Sequence, residues 1–183
     1  SEKERLRDML RKIRETLDRI SEDTKRSLDE VRRRLEEISK RTKDNARKLV
    51  RELEELLRRV SRKEVKKIVD DVRRRIEELV KEVEETNKRV LEEAKKLVEE
   101  VVKLNKTVLK EATRLIEEVE RRMDEEFVKR VEDTLRELLD RVRRENERVN
   151  RDIDRLLKEV EERNKRVNDE LRKLIEDVKE AAR

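Results

Sequence analysis

The 183-residue chain has no glycine, proline, cysteine, histidine, tryptophan or tyrosine, and a single phenylalanine, Phe127. Average domains carry about 7% Gly and 5% Pro, and tight turns and irregular loops lean on both. Their absence excludes a loop-rich or β-rich fold. Without cysteine there are no disulfides and no thiol chemistry, which says nothing decisive about redox compartment. Without His or Cys, the Ser-His and Cys-His nucleophilic systems and the usual zinc sites are ruled out. The Glu-x-x-His motif of di-iron bundles cannot be written either, nor can a Gly-rich phosphate loop. No apolar run approaches the length of about 18 residues that a transmembrane helix needs, and no signal peptide is expected.

What is present is charge and aliphatic side chains: 57% of residues are charged and 32% hydrophobic. Such charge could indicate disorder, but aliphatic residues at regular helical spacing argue for an all-α chain. The net charge is +5, with a pI near 9.4. The excess sits in residues 1–61, with 20 basic against 15 acidic residues. Bases are interleaved with acids throughout, and no aromatic side chain is placed to stack on a base, so no nucleic-acid partner is expected. The basic triplets Arg32 to Arg34 and Arg73 to Arg75 read as solvated faces.

The apolar residues repeat every 18 positions. Leu10, Ile13, Leu17, Ile20 and Thr24 recur as Leu28, Val31, Leu35, Ile38 and Thr42, then as Ala46, Leu49, Leu53, Leu56 and Val60. In the middle, Val83, Asn87, Val90, Ala94 and Leu97 return as Val101, Asn105, Val108, Ala112 and Leu115. In the last third, Val142, Asn146, Val149, Ile153 and Leu156 return as Val160, Asn164, Val167, Leu171 and Leu174. Eighteen residues over five turns is the period of an undistorted α-helix, about 3.6 per turn. A heptad repeat would instead impose a left-handed supercoil.

The stripe breaks twice. Continued by 18, the first stripe lands on the polar Glu64, Lys67 and Asp71, while the apolar residues are Val65, Ile68, Val69 and Val72. The breaks carry helix-start chemistry. Ser61 with Glu64 has the form of a capping box, as does Ser1 with Glu4. Asp124 is a good N-cap, followed by Glu125 and Glu126 at the positive end of a helix dipole. The sequence therefore predicts a single domain, 1–183, with helix 1 at about 1–60, helix 2 at about 62–123 and helix 3 at about 125–183. Short connections make neighbours antiparallel, so the expected fold is an all-α, up-down-up three-helix bundle. Its helices of about 90 Å would form an elongated rod. Its core would be Leu, Val and Ile, with Phe127 and Met9 or Met123 closing the ends.

Six polar residues interrupt the stripes in pairs 18 apart: Thr24 and Thr42, Asn87 and Asn105, Asn146 and Asn164. Counted from the turns, Thr24, Asn105 and Asn146 fall at one height, and Thr42, Asn87 and Asn164 at another. Ser27, Asn45, Thr86, Asn150 and Asn168 flank them. An unpaired buried amide costs about 1–3 kcal/mol, so the expectation is layers whose members satisfy one another and penalise wrong registers. A metal site normally needs carboxylates or His, so neither metal nor cofactor is expected there. The acid pairs Glu92–Glu93 and Glu117–Glu118 fall on outer faces, within reach of bases at i±3 or i±4, and no catalytic residue is assigned. Asn105-Lys106-Thr107 matches a glycosylation sequon, but Asn105 lies on the apolar stripe.

Equal helix lengths, a strict 4-4-3-4-3 spacing of stripe residues, Glu/Lys/Arg surfaces and paired Asn/Thr positions resemble de novo designed, parametrically generated bundles. The likeness is to untwisted antiparallel three-helix bundles built on 18-residue layers, and it covers the whole chain. It implies a hyperstable scaffold with no natural substrate and no enzyme activity, a monomer requiring no partner, soluble in the cytoplasm of an expression host. The turns depart from that class in lacking Gly. Two alternatives remain beside it. One is a designed oligomer or heteromer, self-associating through helix 2, whose stripe Val102, Leu104 and Leu109 widen, or by helix exchange. The other is a natural spectrin-like or coiled-coil scaffold.

Overall fold

The structure, a computed structural model, describes residues 1–122 and 124–183. It consists of α1 (Glu2–Arg59), α2 (Lys63–Arg122) and α3 (Glu125–Ala181), within two residues of the boundaries expected from sequence. Each helix begins with acids in its first turn and ends with bases in its last, for example Glu2 and Glu4 against Arg58 and Arg59 in α1. Both charges oppose the helix dipole favourably. All three helices pack against one another. No described helix is long and apolar enough to cross a membrane.

The chain divides into two compact units, and every helix contributes to both. Unit 1 is Ser1–Glu30 with Ala94–Asp154; unit 2 is Val31–Glu93 with Arg155–Arg183. In unit 1 the core holds Leu6, Leu17, Val108, Ile116 and Leu135, with Met9 and Phe127 half-buried at its margin. In unit 2 it holds Leu53, Val69, Ile76, Leu79 and Leu171. Met123, the other expected end-plug, lies outside the described residues. Burial of each large aliphatic side chain contributes about 1.5–3 kcal/mol. Phe127 is capped by guanidinium groups, Arg122 at 4.9 Å and Arg130 at 5.8 Å from the ring centre, a favourable cation–π geometry.

Register is legible in the cross-helix contacts of each unit. In unit 2, α1–α2 partners such as Ser39–Asn87, Lys43–Glu84 and Glu54–Arg73 have numbers summing to 126 or 127, which requires antiparallel helices. The α1–α3 partners Thr42–Asn164 and Asn45–Asn168 differ by 122 and 123, which requires parallel ones. Unit 1 repeats both rules, with Ser21–Asn105 and Thr24–Asn146. The up-down-up order follows.

The turn chemistry differs from expectation at one cap. Ser1 Oγ accepts the Glu4 N–H at 3.4 Å, and Asp124 Oδ1 accepts the Glu126 N–H at 3.1 Å, so both act as N-caps. Ser61 does not start α2. The first turn is closed by Lys66 N–H onto Arg62 O at 3.2 Å, and Ser61 stands exposed in the connection. The Arg62 side chain donates to Ala182 O at 3.1 Å, near the end of α3. α2 thus starts one residue past the serine, with Arg62 rather than Ser61 at its N-cap position.

Candidate functional site

The buried Thr24, Thr42, Asn87 and Asn105 each bond across a two-helix junction. Between α1 and α2, the Asn87 amide donates to Ser39 Oγ at 2.7 Å and to Leu35 O at 3.1 Å. Asn105 makes the same pair of bonds, to Ser21 Oγ at 2.7 Å and Leu17 O at 3.2 Å. Each serine follows its leucine by four residues, so hydroxyl and carbonyl sit side by side on one helix face. A carboxamide has two N–H groups and can serve both at once. The carbonyl, already engaged by its own helix, contributes its second lone pair.

Between α1 and α3 a threonine meets an asparagine. Thr42 Oγ1 donates to Asn164 Oδ1 at 2.6 Å. Thr24 has two acceptors for one hydroxyl proton: Ile20 O in its own helix at 2.6 Å and Asn146 Oδ1 at 3.1 Å. The closer carbonyl takes the proton, which leaves the Thr24–Asn146 contact the weaker of the two. Both threonines are 1% exposed, Asn105 is 4% and Asn87 7% exposed, while Asn146 and Asn164 are only half-buried.

The grouping by height holds: Thr24, Asn105 and Asn146 belong to unit 1, and Thr42, Asn87 and Asn164 to unit 2. The three-sided layers do not form. Each height carries two separate junctions, because the amides of α2 turn to α1 serines and backbone rather than to the threonine. Ser21 and Ser39 are the residues that sequence reasoning missed. Their own separation of 18, three residues before each threonine, was the available signal. Of the flanking residues, Asn45 donates to Asn168 at 3.3 Å on the surface, and Ser27 bonds its own helix at Asp23 O. Thr86 is buried and Asn150 exposed.

The two α1–α2 junctions differ in solvent access. Asn87, with Leu35 and Ser39, lines an open groove of about 700 Å³. Asn105 Oδ1 is buried and has no hydrogen-bond partner among the described residues. The same side chain sits in the sequon Asn105-Lys106-Thr107, with its amide committed to α1.

No protein family, curated protein or solved structure matches the chain.

Many of the remaining charges form surface ion pairs. Arg75 reaches Glu170 at 2.8 Å across α2 and α3, and Arg89 joins Glu93 at 3.0 Å and Glu159 at 3.3 Å. Glu93 and Glu118, members of the acid pairs singled out in the sequence, are thus tied to Arg89 and to Arg114. The hydrogen bond from Arg148 holds the Glu145 carboxyl below the ordinary carboxylate range, and that from Arg114 does the same for Glu111. Exposed pairs of this kind contribute little individually. Among the described residues no cluster of three acids has the arrangement of a metal site.

Proposed function

We propose that the chain is a designed, hyperstable helical scaffold, a monomer without natural substrate, cofactor or catalytic activity. Its paired polar side chains serve to fix which residues of each helix meet. The observation that carries this reading is the repetition of the core hydrogen bonds. A shift of 18 residues on every helix converts the Ser21–Asn105 and Thr24–Asn146 junctions into Ser39–Asn87 and Thr42–Asn164. A four-residue slip of α2 along α1 in one direction would set Asn87 and Asn105 against Leu35 and Leu17 in place of serine, and a three-residue slip of α3 would set Thr24 and Thr42 against Val149 and Val167. Each stranded buried group then costs about 1–3 kcal/mol, whereas an all-aliphatic stripe would tolerate the slip far better. Polar core residues used in this way specify pairing rather than add stability.

The test is the fourfold replacement of Asn87, Asn105, Asn146 and Asn164 by Leu. Thermal stability should hold or rise, while light scattering shows mass beyond 22.5 kDa or NMR shows several sets of backbone signals. Loss of folding, or a single sharp set of signals at monomer mass, would refute the specificity role.

A further inference from the structure

In unit 2 the first helix departs from its own repeat. The position held by Leu10 and Leu28 in the two preceding repeats is Ala46. Beside this position a groove of about 660 Å³ opens between α1 and α2, floored by Ala46, Val50, Ile76 and Val80. That volume falls within the range of about 300–1,000 Å³ typical of small-molecule sites. Ala46 and Ile76 are buried in the core, and Val50 and Val80 are half-buried. The groove is bounded at both ends by α1–α2 ion pairs, Lys43–Glu84 at 2.9 Å and Glu54–Arg73 at 3.2 Å. These pairs settle the charge of both acids at its ends.

The charge left on the rim is positive. Arg51 and Lys81, on opposite walls, have no acidic partner among the described residues, and Glu77 is the lining acid outside the two pairs. Arg47 joins them, with Asp44 of its own helix 3.9 Å away. An apolar floor with two uncommitted cations above it suits a ligand with the opposite build.

We propose that this groove binds a small amphipathic anion, an aromatic or short aliphatic body carrying one sulfonate or carboxylate. The apolar body covers Ala46 and Val80, and the anionic group lies between Arg51 and Lys81. Long cationic side chains keep their heads in water while their stems line apolar surface, so the anion stays partly hydrated.

The probe is 8-anilinonaphthalene-1-sulfonate, titrated into the folded protein and followed by fluorescence. The neutral N-phenyl-1-naphthylamine serves as its uncharged counterpart. The native chain should bind one equivalent saturably. Ala46→Leu, which restores the residue of the other repeats, should weaken binding of both probes by at least about tenfold. Val80→Leu fills the same space from α2 and should act likewise, so the result does not hang on one variant. Reversing both cations (R51E with K81E) should weaken the sulfonate by about tenfold while changing the neutral probe by less than about twofold. Absence of saturable binding, or unchanged affinity in folded A46L and V80L, overturns the site. Equal losses of both probes on charge reversal overturn its anion preference.

Discussion

Replacing Asn105 by Leu should stabilise the protein, and by more than the same change at Asn87. Both amides make the same two donor bonds, to a serine hydroxyl and to the leucine carbonyl four residues before it. In either variant the freed serine can turn its hydroxyl to that carbonyl, a local bond serines readily make in helices. The loss of the amide therefore strands neither α1 group. What differs is the acceptor. Asn105 Oδ1 is buried without a partner among the described residues, a burden of about 1–3 kcal/mol that leucine removes. Asn87 lines a groove open to water, so N87L relieves no such burden and should lie within about 1 kcal/mol of the native protein. At this chain length 1 kcal/mol moves the midpoint by about 2–4 °C, so N105L should melt about 2–12 °C above N87L. Guanidinium unfolding followed by circular dichroism gives the same comparison where melting is out of range. Equal stabilities for the two variants, or N105L the less stable, would refute the account of the stranded acceptor.

The threonines should also be unequal. A double-mutant cycle between Thr42→Val and Asn164→Leu should give a coupling of about 0.5–1.5 kcal/mol, and the T24V/N146L cycle a smaller one, since Thr24 spends its proton on Ile20 O. Asp124→Ala should cost about 1 kcal/mol as a lost N-cap, whereas Ser61→Ala, outside α2, should leave the unfolding midpoint unchanged. Carbon-detected titration should place the Glu111 and Glu145 carboxyls below the ordinary Glu midpoint, with R148Q raising that of Glu145. Because their folded values are depressed, whatever stability these pairs give is present above the ordinary carboxylate range. It is lost as pH falls through the folded values, so native and R148Q proteins should converge in strong acid.

Much of this arrangement could be read from the chain. Helix ends followed from two phase breaks and from end charges, and the height of each Thr and Asn followed from counting residues back to the turns. The partner of each Asn did not follow. A one-dimensional stripe says which side of a helix faces the core, but not how far its edge is rotated toward one neighbour or the other. That rotation decides between Ser21 and Thr24 as the partner of Asn105. Ser21 and Ser39 stand beside the stripe rather than on it, which hid them despite their repeat. Ser61 misled for a different reason: a Ser-x-x-Glu pattern fixes a helix start only to within a residue, and the first turn closes on Arg62 O, whose side chain also contacts Ala182 O 120 residues away. The stranded Asn105 Oδ1 depends on side-chain packing that no spacing rule reports. The groove beside Ala46 lies where the repeat has alanine in place of Leu10 and Leu28, a difference that spacing alone does not turn into a cavity.

The most direct test of the central claim is the exchange and contact pattern of the asparagine side-chain amides by NMR. The account predicts that the NH₂ protons of Asn105 and Asn87 exchange slowly and show cross-peaks to Ser21 and Ser39 respectively, while those of exposed Asn150 exchange at the rate of free amide. Fast exchange at Asn105 and Asn87, or contacts to residues of another register, would contradict it.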